Sequence, residues 1–119
     1  MKYLLLIYES EESSAGLSEA EQGKIYQEYM DYTKRIRKNG NYVSGEALEP
    51  VSTATTVRVK NGKTLTTDGP FAETREQLGG FYLVEAKNLD EAITLAAGIP
   101  AVRTGSIEVR PIMPTPPPD

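Results

Sequence analysis

Residues 2 to 8, which read K-Y-L-L-L-I-Y, narrow the possible folds more than any other segment. The segment has the length and the β-favouring residues of a strand. Successive side chains of a strand point to opposite faces, so one face receives Tyr3, Leu5 and Ile7 and the other receives Leu4, Leu6 and Tyr8. Both sets are apolar. The segment therefore predicts a central strand in a sheet whose two faces both need cover.

The rest of the chain predicts two long helices, each opened by a capping residue. A capping-box pattern at Ser18 predicts a helix over residues 18–38, and a similar pattern at Asn88 predicts a helix over residues 88–98. The predicted buried stripes are Ile25, Tyr29, Tyr32 or Thr33, and Ile36 in the first helix and Leu89, Ala92, Ile93 and Ala96 in the second.

Further strands are predicted over residues 42–48, 55–60, 63–67, 80–86 and 106–112. A hairpin turn at Asn61-Gly62 joins the second and third of these, because both residues tolerate positive φ. Gly45 predicts a bulge or bend, and the polar residues 9–16 predict a loop. The order is β-α-β, hairpin, β-α-β. It predicts the α+β class, with a ferredoxin-like βαββαβ fold that carries an inserted β-hairpin.

The two helices cover one face of the predicted sheet and leave the other face uncovered. On that face the Leu and Tyr side chains of the first strand meet Glu108 and Arg110 of the last strand. Such a face is costly to expose and too polar for a dry core. We therefore expect a homodimer, a dimeric α+β barrel with a cleft between two facing sheets. The chain is expected to form one domain over residues 1–113, followed by a disordered Pro-rich tail over residues 114–119.

Composition disfavours several classes of function. The chain has 13 Lys and Arg against 17 Asp and Glu, and its basic residues cluster only at the end of the first long helix, so nucleic acid is not an expected partner. There is no Cys and no His, so neither a metal site nor a cofactor is expected. The longest apolar run is too short to span a bilayer, and no signal-peptide pattern precedes it. These features predict a cytoplasmic protein without membrane contact.

The segment 66–80 reads T-T-D-G-P-F-A-E-T-R-E-Q-L-G-G, which is longer and more polar than a plain connection between strands. It is either a loop that lines a cleft or a solvated detour. As a turn, Asp68 bonds to nearby amides and Gly69 supplies positive φ. Phe71 is expected to fill an apolar pocket at the rim of the cleft, with Arg75 or Glu76 facing the cleft or a partner subunit.

Charged residues also occur on predicted strands, namely Glu46, Arg58, Glu108 and Arg110. A Glu–Arg pair in a small barrel is most often a partly buried ion pair with a structural role. Alternatively, Arg110 presents its fork of donors to a ligand carboxylate or enolate, with a carboxylate as acid or base. Tyr8 and Tyr82 suit a core and the cleft for an aromatic ligand equally well.

Four segments together closely resemble the DGPF branch of the YCII-related family: M-K-Y-L-L-L-I-Y, T-A-T-T-V-R-V-K-N-G-K-T-L, T-D-G-P-F-A-E-T-R-E-Q-L-G-G-F-Y-L-V-E-A and G-S-I-E-V-R-P-I. The resemblance covers roughly residues 1–113. It implies a ferredoxin-like dimeric α+β barrel and a genomic association with extracytoplasmic-function sigma factors, without a general activity. Some relatives carry a His–Asp pair in their cleft, and a few are tied to dehydrochlorination of chlorinated aromatics. Here the sequence V-R-T-G-S has Thr104 where branch members often have His, which excludes that pair.

The sequence as a whole predicts a small dimeric protein that binds a small molecule in the cleft between its sheets and is accessory to sigma-factor regulation. Tyr8, Asp68, Phe71, Arg75, Glu76, Tyr82 and Arg110 are the predicted ligand-binding residues. One alternative is a cofactor-free lyase or isomerase, with Asp68 or Glu108 as base and Arg110 or Arg75 as electrostatic stabiliser. The other is an interaction module that contacts a sigma factor.

Overall fold

A computed structural model describes residues 1–118, so the last residue of the predicted tail, Asp119, lies outside the described part. The strands are β1 (Lys2–Glu9), β2 (Tyr42–Ala47), β3 (Thr55–Lys60), β4 (Lys63–Asp68), β5 (Gln77–Glu85) and β6 (Ser106–Pro111). The helices are α1 (Glu11–Ser14), α2 (Glu19–Lys38) and α3 (Leu89–Ala97), with short 3-10 turns at Val51–Thr53 and Pro100–Arg103. The α+β prediction is confirmed.

Four strands form one antiparallel sheet in the order β2-β5-β1-β6, which places the doubly apolar β1 in the interior of the sheet. This order is compatible with a ferredoxin-like fold, in which each crossover helix connects strands that have another strand between them. The predicted irregularity in β2 is present but misplaced. The register shift falls between Tyr42 and Ser44 rather than at Gly45, and Gly45 has a different role that is described below.

The two long helices begin and end as their local signals predict. Ser18 Oγ accepts from the Glu21 amide at 3.2 Å while Glu21 Oε1 accepts from the Ser18 amide, also at 3.2 Å, which is a complete capping box. Gly40 follows α2 with φ of 81°. The segment predicted as a loop contains α1, a four-residue helix with Ser10 as its N-cap. None of the helices in the described chain is both long and apolar enough to cross a bilayer.

The core lies between the sheet and the two long helices. The sheet contributes Tyr3, Leu5, Ile7, Tyr82 and Val84, and the helices contribute Tyr32, Ile36, Ala92 and Ala96. Tyr32 Oη donates to the Leu95 carbonyl at 2.7 Å and so joins α2 to α3. The predicted stripe of α3 is wrong for Leu89 and Ile93, which are each 49% exposed. Ala92 and Ala96 are buried, and Leu95 packs partly against the core, whereas Leu89 and Ile93 lie on the exposed side of α3.

Within residues 1–118, no helix lies on the second face of the sheet. Cross-strand partners project to the same side, and the register pairs Leu4 with Leu83 and with Arg110, and Leu6 with Phe81 and with Glu108. This surface, with Leu4, Leu6, Leu83 and Phe81 at its centre, is called the open face here. The prediction of a mixed apolar and charged face is confirmed.

The hairpin of β3 and β4 forms a separate two-stranded sheet, called the arm here. Its turn has positive φ at both Asn61 and Gly62, as the sequence predicts. The arm contributes no residue to the core, and Val57 and Val59 on one of its faces are 60% and 70% exposed. The radius of gyration of 16.6 Å exceeds the roughly 13.5 Å expected for a compact chain of this length. The projecting arm therefore gives the single chain a surface unusual for a monomer.

Candidate functional site

The open face brings together several predicted site residues near β6. Tyr8 lies opposite Ser106 in the register, and Ser106 Oγ donates to Glu76 Oε1 at 2.8 Å. Glu108 and Arg110 follow on the same face, with Arg110 Nε 3.7 Å from Glu108 Oε2. That distance is too long for a hydrogen bond, and both side chains are exposed. The Arg110 guanidinium is therefore available to another partner.

The D-G-P-F turn differs from its prediction in two respects. Phe71 is 82% exposed and fills no pocket of its own chain. The turn is held by the Gly69 amide, which donates to the Ala54 carbonyl at 2.7 Å, and by Thr56 Oγ1, which donates to the Gly69 carbonyl at 2.8 Å. The predicted bonds from Asp68 to the turn amides are thus replaced by bonds of other groups. Gly69 has φ of 103°, as predicted for the turn.

The segment after the turn is a solvated detour in the single chain. Residues 70–75 are all exposed, Arg75 included, because the segment leaves from the end of the arm and finds no apolar surface of its own chain to cover. It rejoins the fold at Thr74, Glu76 and Gln77. There Thr74 Oγ1 donates to the Glu76 carbonyl at 2.6 Å and Gln77 Nε2 donates to the Thr74 carbonyl at 2.6 Å. Of the predicted residues in this segment, Glu76 contacts β6, through Ser106, whereas Phe71 and Arg75 are exposed.

Tyr82 also lies apart from that group, since it points to the helix side of the sheet. Its ring packs edge-on against Tyr32 and Tyr42, with centroid distances of 5.3 Å and 6.4 Å. It borders a cavity of about 410 Å³ between α2 and the β2–β5 edge of the sheet. This space, called the helix-side cavity here, is on the opposite face from Tyr8 and Arg110.

The helix-side cavity exists because glycines form part of its floor. A Cβ at Gly45 would lie 2.9 Å from the Tyr82 ring, and a Cβ at Gly80 would lie 2.8 Å from the Glu46 carbonyl. Both positions therefore exclude side chains, and the sheet presents bare backbone to the middle of α2. The role of Gly45 is this close approach of the Tyr82 ring. The opposite wall consists of the α2 side chains Tyr26, Tyr29, Met30 and Thr33.

Hydroxyl groups dominate the polar chemistry of the cavity. Thr33 Oγ1 lies 2.8 Å from Tyr82 Oη and 2.8 Å from the Tyr29 carbonyl. Burial raises the pKa of Tyr82. Burial, followed by the Glu9 carboxylate, raises the pKa of Tyr29 well above its ordinary value. Both phenols therefore stay protonated across the physiological range.

Glu9 lies at the border of the cavity and links it to the V-R-T-G-S segment. Thr104 Oγ1 donates to Glu9 Oε2 at 2.9 Å, so the residue that replaces the histidine of the resembling branch is a partner of this carboxylate. Gly105 is required by packing, because a Cβ there would lie 2.1 Å from the Tyr8 carbonyl.

Sequence reasoning missed this cavity, although the spacing of Tyr26, Tyr29 and Thr33 along α2 contained part of its signal. Within residues 1–118, no three His, Cys, Asp or Glu side chains come together as a metal site requires.

Two comparisons place the chain among known proteins. The model of the YCII-related domain matches residues 1–116. An uncharacterized protein of Rhizobium meliloti (strain 1021) is 36% identical over 114 residues, which span 94% of this chain and 92% of that protein. The family match therefore includes every helix and strand described above. The chain belongs to the YCII-related family.

Proposed function

We propose that the protein is a cytoplasmic homodimer of the DGPF branch that binds a small anionic molecule in the cleft between two facing sheets, as a dimeric α+β barrel. The observation that carries the proposal is the open face. Its centre is formed by four large apolar side chains, Leu4, Leu6, Leu83 and Phe81, which are only partly buried within residues 1–118. Monomeric proteins rarely expose a contiguous apolar surface of this kind. A second copy supplies matching cover through a two-fold axis.

The arm supports the same assembly. An isolated two-stranded hairpin is at best marginally stable in water, and the arm presents Val57 and Val59 on one face without a partner in its own chain. Leu65 points to its other face, opposite Arg58. Docking of the valine face against the partner subunit covers these side chains and brings Phe71, at the base of the arm, near the partner. Phe71, which the sequence predicts to be buried, would then be buried by the partner subunit rather than by its own chain.

The ligand class follows from the polar groups that the open face carries. Arg110 is loosely paired and exposed, and its planar guanidinium matches a carboxylate in a bidentate geometry. Tyr8 supplies an aromatic surface on the same face. Enclosure between two sheets would remove water from the Arg110 contact and strengthen it. A small aromatic carboxylate combines the two kinds of contact.

The assembly is tested by light scattering on the purified chain at micromolar concentration. We expect twice the 13.1 kDa of the chain. Leu83→Glu places a charge at the centre of the open face and should give a monomer, whereas Leu89→Glu on the exposed side of α3 should leave the dimer intact. A melting curve of each variant separates dissociation from unfolding. A wild-type monomer mass would overturn the proposed assembly.

The ligand class is tested by titrating the protein with benzoate in an isothermal titration calorimeter. We expect binding that Arg110→Gln weakens by about tenfold or more, in line with the loss of a charge-assisted hydrogen-bonded pair. Arg103→Gln is the charge-matched control. Arg103 lies away from the open face, and its guanidinium is paired with the Glu28 carboxylate at a distance of 2.8 Å. If both substitutions weaken benzoate binding equally, the effect is due to the net charge of the protein, and the proposed site at Arg110 is wrong.

A second candidate is an interaction module, and the exposed valines of the arm favour it. In that case the arm docks on a sigma factor instead of on a second copy. The light-scattering experiment distinguishes the two, since the module would be monomeric alone. It would form a defined complex with an extracytoplasmic-function sigma factor, and Val59→Asp would abolish that complex.

A further inference from the structure

The helix-side cavity has no part in the proposed cleft, because the sheet lies between them. Its volume of about 410 Å³ falls within the roughly 300–1,000 Å³ range of small-molecule sites. The floor carries no side chain at Gly45 and Gly80, where steric exclusion admits none. The space is partly open to solvent, and the exposed side chains of Tyr26 and Met30 form part of its wall.

The hydrogen-bond geometry fixes what the cavity offers to a ligand. Thr33 has one hydroxyl proton, and the Tyr29 carbonyl accepts it at 2.8 Å. The bond between Thr33 Oγ1 and Tyr82 Oη, also 2.8 Å, must then be donated by Tyr82. The remaining lone pair of Tyr82 Oη is left as an acceptor, so the polar group at the floor of the cavity accepts rather than donates.

The charge of the lining has one sign. Glu9 contributes a carboxylate, and no residue that lines the cavity is Lys or Arg. Glu46 borders the cavity but pairs with Phe81, so its side chain projects to the open face. Two guanidinium groups lie nearby without being part of the lining. That of Arg37 covers one face of the Tyr42 ring, 4.5 Å from its centroid, and that of Arg103 is paired with Glu28 at 2.8 Å. An anion would meet no complementary charge in this cavity.

Aromatic rings form much of the remaining surface, contributed by Tyr26, Tyr29, Tyr42 and Tyr82. The face of a tyrosine ring attracts cations, and sets of such rings are used to recognise quaternary ammonium groups. We propose that the helix-side cavity binds a small organic cation whose alkylammonium group lies against the tyrosine rings and faces Glu9. The site is independent of the anion site proposed on the open face.

The proposal is tested with choline and its neutral carbon isostere, dimethylbutanol, which have nearly the same shape and differ in charge. Binding is followed by the amide chemical shifts of the full chain. We expect choline to shift the amides of Gly45 and Gly80, and to bind about tenfold more tightly than the isostere. Equal affinity for both probes would overturn the proposal, as would no binding of choline at millimolar concentration, or shifts confined to the open face around Leu4 and Arg110.

Two matched substitutions locate the charge. Glu9→Gln keeps an oxygen that accepts from Thr104 and removes the carboxylate, so choline affinity should fall by about fivefold or more while the affinity for dimethylbutanol is unchanged. Glu12→Gln removes the same charge from an exposed residue outside the cavity lining and should leave choline binding unaltered. If both substitutions lower the choline affinity equally, choline is attracted by the net negative charge of the protein surface, and the proposed site is wrong.

Discussion

At the scale of single residues, glycines decide how closely the strands approach each other. Gly79 and Gly80 are neighbours on β5, yet their surroundings differ. A Cβ at Gly80 would lie 2.8 Å from the Glu46 carbonyl, whereas at Gly79 the nearest atom is the Ile7 carbonyl at 4.0 Å. The sequence alone presents two equivalent glycines. Only the paired strand β2 distinguishes them, because the obstructing atom belongs to backbone that is distant in the chain.

We therefore predict opposite effects for Gly80→Ala and Gly79→Ala. Gly80→Ala forces the β2 and β5 backbones apart and should lower the free energy of unfolding by about 1–3 kcal/mol. Gly79→Ala should be neutral or slightly stabilising, because alanine restricts the unfolded chain. Urea denaturation measures both. Equal destabilisation would mean that the β2–β5 spacing does not govern the choice of residue.

At the scale of elements, the sequence predicted correctly those structures that are set by residues adjacent in the chain. The capping box of α2, the Asn88 cap of α3, the Asn61-Gly62 turn and the apolar β1 depend on neighbours in sequence, and each was predicted correctly. Predictions that needed a remote surface were less successful. Phe71 and Ile93 are apolar, and both were predicted to be buried. Phe71 is exposed because no apolar surface of its own chain covers it. Ile93 is exposed because α3 buries Ala92 and Ala96 instead.

The capping box of α2 should contribute measurably to stability. Ser18→Ala removes the acceptor for the Glu21 amide and should lower the free energy of unfolding by about 1 kcal/mol. Ser52→Ala, in an exposed 3-10 turn, is the control and should have a smaller effect. Thermal or urea unfolding monitored by circular dichroism decides between them.

The same cap makes stability depend on pH. The backbone and then the side-chain hydrogen bonds of Ser18 lower the pKa of Glu21 in the folded state. A lowered pKa contributes stability that is present above the unfolded-state pKa and is lost as pH falls through the folded-state pKa. The stability difference between the wild type and Glu21→Gln should therefore be largest near neutral pH and shrink as the solution is acidified. A difference that is constant across the acid range would contradict this assignment.

At the scale of the whole molecule, residues 2–8 predict a β1 that is apolar on both faces, and this pattern is the basis for expecting a partner. The projection of the arm and the helix-side cavity have no comparable signal in the sequence. The cavity depends on glycines of two different strands, which no periodicity of the sequence shows. Glu108 and Arg110 of β6 lie together on the open face, whereas Tyr82, for which the sequence leaves core and cleft open, lies on the helix side. The segment of β5 around it is apolar on both faces, so its sequence does not show which face the helices cover.

The arm provides a test of the assembly that does not disturb the sheet. Val59→Asp places a charge on the valine face and should weaken the dimer by about tenfold or more, as expected for an apolar contact at an interface. Leu65→Asp places the same charge on the opposite face of the same hairpin and should leave the dissociation constant nearly unchanged. Sedimentation at several concentrations gives both constants. Equal effects would mean that the valine face is not the contact surface.

The separation of the arm from the sheet has a consequence for evolution. The residues that stabilise the domain lie in one layer, and those proposed to select the partner lie in a hairpin that adds nothing to the core. Substitutions in the hairpin can therefore accumulate without loss of folding stability. After gene duplication, two such copies in one cell could diverge in their hairpins alone and cease to form mixed pairs, while each keeps the same scaffold and the same cavity.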